Sequence, residues 1–373
     1  MKKGRLLSII YIVTALMCLS GCDSGGGLRT DRSEIERLML IQTMGLDQKG
    51  DGIEMSISSG LGPEDSPALV MTAAATGMEA AIARLQNYSP ENQLYYGHVQ
   101  YLLLGQEAAM TDLASILEWV DRSPVMRMGT TMFIVRGSAV DAVEATSQQS
   151  TDITERLSAM ERGVRVKGQH IYSLREVAAA LSDGRGALCL AVETASSADT
   201  VLTEDKQADA VIPAGYAVLN GDGLIDFLTP EQSLGAELLT GSPTGTLVSV
   251  DDNTLELLSC DTSISGQWDD EGTLTGITVE CVLRAGLLEN ALNASSEPVT
   301  LDAAFSRDAR AWLTDVLSRA QALNCDFLGL KTAVLKDGKN RSVLAGQWAD
   351  IFPALPITVT VDGQVDRSYD LSN

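Results

Sequence analysis

Cysteine, histidine and carboxylate side chains carry most metal and acid–base chemistry, and this sequence supplies six, two and fifty of them. Their spacing decides what they can do. His98 and His170 stand far apart, and neither a Cys-x-x-Cys pair nor a His-Glu-x-x-His helix occurs, so the ligand pattern of a zinc centre is missing. Gly-x-Ser-x-Gly is also missing, and no serine has a histidine placed beside it by local sequence. The acidic groups Asp251-Asp252 and Asp269-Asp270-Glu271 fall where turns are predicted, and solvation accounts for them. The turn Asp47-Gln48-Lys49-Gly50-Asp51-Gly52 lacks the remaining oxygen ligands and the terminal glutamate of a calcium loop. Cys189 and Cys325 stand alone and read as core residues, as does the methionine-rich stretch 125–132. The residues therefore predict no catalytic group, no metal site and no enzyme.

One cysteine has a different chemistry. Lys2, Lys3 and Arg5 precede an apolar run from Leu6 to Cys18, too short to cross roughly 30 Å of hydrocarbon but suited to a secretion signal. Leu19, Ser20 and Gly21 then lead to Cys22, a pattern that resembles the bacterial lipobox. There the cysteine thiol takes a diacylglyceryl group and the signal is cut, so Cys22 becomes the first residue. A covalent lipid with palmitate-type chains on Cys22 is the one attached group expected, with no other cofactor. Each buried methylene contributes about 0.8 kcal/mol, so two or more chains hold a protein firmly to a bilayer. Removing residues 1–21 takes away Lys2, Lys3 and Arg5 and no acid, which leaves 24 basic against 50 acidic residues, a formal charge of −26. Such a body is repelled by nucleic acid and by anionic lipid alike. Asp23-Ser24-Gly25-Gly26-Gly27 forms a flexible tether that lets it stand off the membrane.

The elements behind these residues alternate between strand and helix. Strands are predicted at 40–46, 53–59, 99–104, 130–135, 187–192, 214–219, 224–228 and 357–365, and helices at 77–87, 111–121, 173–181 and around 309–323. Ser173 and Glu176 form a capping box, and Thr229, Pro230 and Gln232 open a further helix. The fold class is α+β and multi-domain, with mixed and antiparallel sheets packed by helices behind a lipoprotein signal. The division reads as signal 1–21, tether 22–33, N-terminal domain 34–195, polar linker 196–211 and C-terminal domain 212–373, with two subdomains split near 250–254.

Residues 254–283 allow a register argument. A four-residue turn Asp269–Gly272 between Trp268 and Thr273 sets Leu258 opposite Leu283, Cys260 opposite Cys281 and Ile264 opposite Ile277. Directly opposed residues can lie about 4.5 Å apart, a span that a disulfide bridges. Two readings of Cys260 and Cys281 stay open: a disulfide formed outside the cytoplasm, or two buried thiols.

Several short motifs in fixed order carry a resemblance. They are Asp31-Arg32-Ser33-Glu34-Ile35-Glu36-Arg37-Leu38 leading into Gly45-Leu46-Asp47, Tyr96-Gly97-His98-Val99-Gln100 through Leu104-Gly105-Gln106-Glu107, and Val135-Arg136-Gly137-Ser138. Ala214-Gly215-Tyr216, Asp226-Phe227-Leu228-Thr229-Pro230, Asp326-Phe327-Leu328-Gly329-Leu330 and Trp348-Ala349-Asp350-Ile351-Phe352-Pro353 follow. In this order they resemble the Ger(x)C family, the lipoprotein C subunits of spore germination receptors. The resemblance implies an α+β protein held by its lipid on the outer face of the spore's inner membrane. It implies partners as well, a polytopic A subunit and a transporter-like B subunit, in a nutrient germinant receptor. The competing reading is a solute-binding lipoprotein that delivers a small ligand to a membrane transporter, for which an aromatic content of 5% is low.

Overall fold

The computed structural model describes residues 38–60, 68–123, 126–147, 152–195, 210–289, 298–336 and 341–366. The signal, the tether, Leu19, Ser20, Gly21 and Cys22, and most of the expected linker lie outside them. Contacts divide the chain into Met1–Leu38 and Met39–Asn373, and the description below concerns the second unit.

Its main sheet has eight strands: β1 (Thr43–Lys49), β2 (Gly52–Ser58), β3 (Val70–Ala75), β4 (Tyr101–Gly105), β5 (Thr131–Arg136), β6 (Ala187–Ala195), β7 (Ala210–Asn220) and β8 (Gly223–Phe227). Across the sheet they run β8-β7-β6-β5-β4-β1-β2-β3. The four middle strands are mutually parallel, and an antiparallel pair closes each side. Parallel strands need covered crossovers, and α1 (Met78–Tyr88), α2 (Gln106–Thr111), α3 (Leu113–Arg122), α4 (Ala139–Ser147), α5 (Ile153–Val166) and α6 (Leu174–Ser182) supply them.

Strand alternation sorts the core onto the two faces. Leu103, Phe133, Val135, Leu188 and Leu190 pack with α4 and α5, whereas Leu102, Leu104, Met132, Ile134 and Cys189 pack with α1, α3 and α6. The predicted α3 face is the buried one, through Leu113, Ile116 and Val120. Both expected capping boxes are present, at Ser173 with Glu176 and at Thr229 with Gln232, the latter opening α7 (Pro230–Thr240).

The second sheet runs β9 (Leu247–Val250), β10 (Asn253–Trp268), β11 (Leu274–Glu289) and β12 (Ile357–Asp366) in spatial order. One face is covered by the long α8 (Pro298–Ala322), which buries Phe305, Ala309, Leu313, Val316 and Ala320. The other presents Asp261, Ser263, Ser265, Glu280, Arg284, Thr358 and Thr360 to solvent. Two short helices, α9 (Leu330–Leu335) and α10 (Arg341–Ile351), precede β12.

The main sheet takes strands from both sides of the expected linker 196–211. β6 lies before that stretch and β7 begins at its end, at Ala210, and the two pair with one another inside the main sheet. The apolar cluster on one face of this sheet also continues into Leu255, Val279 and Leu283 of the second sheet.

The register of β10 and β11 needs correction. Cys260 stands opposite Leu283 and Cys281 opposite Thr262, two residues from the expected pairing. Two causes add. The loop holds five residues, Asp269–Thr273, because the Asp269 carboxylate accepts from the backbone N–H of Glu271 and Thr273 while Gly272 takes φ +80°. Thr275 then forms a bulge, since Gln267 pairs with Gly276 and Trp268 with Leu274. A slip of two preserves the face, so both cysteines stay buried and become diagonal neighbours across the pair. Both are thiols in this structure, with side chains close enough to hydrogen-bond one another. The Thr262 hydroxyl donates to the Leu238 carbonyl at 2.6 Å and lies 3.2 Å from Cys281 Sγ and 3.6 Å from Cys260 Sγ.

Alkylation of the denatured, unreduced protein should therefore label Cys260 and Cys281 in full. Peptide mass spectra that recover the two as one cross-linked species would overturn the free-thiol state.

Candidate functional site

Three motif segments separated in sequence meet at the carboxyl ends of the parallel strands β1, β4 and β5. Asp47 accepts from the backbone N–H of Ala139 at 2.9 Å and of Val140 at 2.7 Å, and from the Ser138 hydroxyl at 2.8 Å. These are the first amides of α4, so the carboxylate fills the position where an open α/β sheet usually offers an anion site. Gly105 makes room for it: a Cβ there would stand 1.6 Å from Asp47 Oδ1. The place is occupied by the protein itself, and its role is structural.

The next residue along β5, Arg136, points another way. Its guanidinium lies over the Phe227 ring, 4.4 Å from the centroid, and donates to the carbonyls of Ala214 and Leu228, both at 3.4 Å. The central sheet is thereby tied to the edge hairpin β7–β8 and to the start of α7. Beside it opens a cleft of about 930 Å³, bounded by the hairpin, α7, β9 and Trp312 of α8. Glu193, Glu231 and Glu237 bring carboxylates to its lining, and Ser233 and Thr246 bring hydroxyls with no hydrogen-bond partner among the described residues. Burial pushes the Glu237 carboxyl up to about 7, although the Gln169 amide, Lys167 and the Tyr216 hydroxyl all favour its charged form. The Tyr216 phenol is itself raised by burial.

The residues singled out from sequence are scattered. His98 is exposed, its ring centroid 5.7 Å from that of Tyr95. His170 bonds the exposed Glu176 through Nε2 at 3.1 Å and meets Tyr172 edge-on. Cys189 is buried and donates to the Met132 carbonyl at 3.0 Å, and burial raises its thiol. Burial likewise pushes Cys325 up to about 11. Asp326 caps α9 by accepting from the amides of Leu330 at 2.8 Å and Lys331 at 2.7 Å, while burial raises its carboxyl. Trp348 stacks on Phe352 at 5.2 Å. Among the described residues no three His, Cys, Asp or Glu side chains come close enough to hold a metal ion. None of the described helices is long and apolar enough to cross a membrane.

The cleft was not singled out in sequence. Its one local signal is Ser233 and Glu237 four residues apart, a polar pair on a helix whose neighbours Ala236, Leu238 and Leu239 are core.

A family model described as spore germination protein N-terminal domain matches residues 31–192. A second, described as spore germination B3/GerAC like, C-terminal, matches residues 214–369. A solved structure titled as the crystal structure of the GerBC protein is similar over 86% of this chain and 96% of its own, with a TM-score of 0.54 at 14% identity. That likeness establishes the fold. No curated protein sequence matches the chain.

Asp47→Ala removes three bonds to one helix end and should lower stability by about 2 to 4 kcal/mol, read as a shift in the urea midpoint of the full chain. An unchanged midpoint would count against this role. Glu237 makes a second prediction. Its pKa rises from 4.5 to about 7 on folding, so the folded state prefers the proton. Its contribution is complete below about pH 4.5 and is lost as pH rises through 7, about 3 kcal/mol in all. Glu237→Gln should match the parent in melting temperature at pH 5 and exceed it at pH 8, and a gap that does not change with pH would refute the assignment.

Proposed function

Because this chain belongs to the GerAC-like family of spore germination proteins, the family of germinant receptor C subunits, we propose that it is the lipid-anchored C subunit of a nutrient germinant receptor, assembled with polytopic A and B subunits. The observation that carries this reading is the two family models in order over residues 31–192 and 214–369, following a lipobox-like Leu19-Ser20-Gly21-Cys22. The match favours it over the solute-binding lipoprotein, and the family is not one of known enzymes.

The physical chemistry fits an anchored scaffold. Acyl chains on Cys22 hold the protein to the spore's inner membrane, at its outer face, while a mature charge of −26 keeps the body clear of anionic headgroups. A lipidated chain searches only the membrane plane, so its effective concentration toward a membrane partner rises without any added contact. The partners supply the crossing, and this chain supplies folded surface outside it.

Cys22→Ala should abolish fatty-acid labelling, leave unprocessed precursor and prevent co-purification with two polytopic chains from detergent-solubilised spore membranes. Equal labelling of variant and parent would refute the anchor. Loss of labelling with full retention of both partners would refute the part played by membrane concentration.

A further inference from the structure

We infer that the end of the main sheet at which β1, β4 and β5 begin is the face that rests on the bilayer, with Leu40, Tyr88 and Tyr95 set into the headgroup layer. The inference rests on the lipid anchor at Cys22 proposed above and adds which way the body points. Three observations converge.

The first is where the tether arrives. The folded unit starts at Met39, and residues 23–38 separate it from Cys22. A flexible chain of that length averages about 20 to 25 Å between its ends, so the surface next to Met39 is the part of the body held nearest to lipid. The Ile41 N–H donates to the Tyr95 carbonyl at 3.0 Å, and the Gln42 carbonyl accepts from the N–H of Gln100 at 2.8 Å and of Tyr101 at 3.2 Å. The Thr131 N–H donates to the Gln100 carbonyl at 2.9 Å. The chain therefore enters beside the starts of β1, β4 and β5. Asp47 and the cleft beside Arg136 lie at the other end of these strands.

The second is what this end exposes. Of the eight large apolar side chains that stand exposed among the described residues, Leu40, Tyr88 and Tyr95 lie here, at 40%, 64% and 41%. Tyrosine favours the membrane interface, where its ring leaves water and its hydroxyl keeps it. The rings sit on a fixed loop. Gln86 of α1 donates to the carbonyls of Ser89 at 3.1 Å and Asn92 at 2.8 Å and accepts from the N–H of Leu94 at 3.0 Å. Leu94 is thereby turned into the core and Tyr95 outward, its ring centroid 5.7 Å from that of the exposed His98.

The third is charge. Residues 38–46 and 88–100 hold one carboxylate between them, Glu91, in a mature chain with 50. Arg127 and Arg175 are exposed alongside: the Thr130 hydroxyl donates to the Val99 carbonyl at 3.0 Å, the Thr130 N–H to the Arg127 carbonyl at 3.0 Å and the Arg175 N–H to the Met128 carbonyl at 2.9 Å. Guanidinium groups suit lipid phosphates. Of the carboxylates near them, Glu176 is bonded to Ser173 and His170, and Glu118 pairs with Arg122. An acidic body is repelled by anionic lipid, so its approach falls to the end that carries least of that charge. The anchor raises local concentration, and a shallow contact is then enough to fix the orientation.

The test is tryptophan quenching in the full acylated chain, reconstituted into phosphatidylcholine vesicles with and without lipid brominated near the headgroup end of its acyl chains. Tyr88→Trp and Tyr95→Trp place a reporter at this end, and Leu247→Trp places one on an exposed residue beside the cleft. After subtraction of the parent's own emission, the brominated lipid should remove most of the added signal from the first two and leave the third unchanged. The Tyr95 ring packs over Gly97, where a Cβ would stand 2.6 Å from its Oη, so Tyr88→Trp carries the test should Tyr95→Trp fail to fold. Fatty-acid labelling is measured on the same preparations. Labelled protein in which neither reporter is quenched, or in which Leu247→Trp is quenched as strongly, would overturn this orientation and leave the anchor standing. Protein without label would overturn the anchor and this contact with it.

Discussion

The pairing of Ala187–Ala195 with Ala210–Asn220 is the constraint on which the rest depends. It carries the main sheet across a polar stretch of chain and places the second half of the sequence at the edge of a layer begun by the first. Once β7 is fixed there, β8 folds back beside it and α7 must start at Thr229. The apolar side of α7, with Ala236, Leu238 and Leu239, then joins the cluster holding Leu103 and Phe133. Two contacts lock that arrangement. Arg136 reaches from β5 to the hairpin, and Arg319 of α8 pairs with Asp226 of β8 at 2.6 Å. The cleft is what remains where the sheet edge, α7 and β9 cannot close on one another.

Local features were legible because local rules decide them. The boxes at Ser173 and Thr229 need only residues three apart, and the stripe Ala309, Leu313, Val316 and Ala320 needs only helical period. Pairing over distance was not. The stretch 196–211 has the composition of a linker, and composition says nothing about whether the strands on its two sides hydrogen-bond to each other. The β10–β11 register failed for a smaller reason. A side-chain cap on Asp269 lengthened the loop by one residue and a bulge at Thr275 added another, and neither leaves a periodic trace. Since the error at the cysteines was even, Cys260 and Cys281 share a buried face although they do not pair, whereas Leu258, expected opposite Leu283, falls in a bulge between Leu257 and Ser259, and Ile264 pairs with Val279. The motifs behave similarly. Asp47, Gly105 and Ser138 were visible as pieces, and only the fold shows that they serve one helix end.

The chemistry follows from where charge is spent. Asp47 and Asp326 are consumed on helix amides, Glu176 on a capping box and a histidine, and Arg136 on a ring and two carbonyls. Glu237 is the exception, a mostly buried carboxyl whose neighbours are too weak to hold it fully ionised at neutral pH. Below pH 7 the folded state gains from the proton that Glu237 keeps.

The last strand has a consequence of its own. Ile357–Asp366 lies parallel to Leu274–Glu289, with Val361 beside Cys281 and Ile357 beside Ile277. The ribosome makes it long after its partner, so the second sheet spends the interval with a bare edge of sixteen residues. Exposed edges recruit foreign strands, and long loops close slowly. Folding is then a race between completing this edge and aggregating through it, and whatever covers β11 in the interval decides how much protein survives.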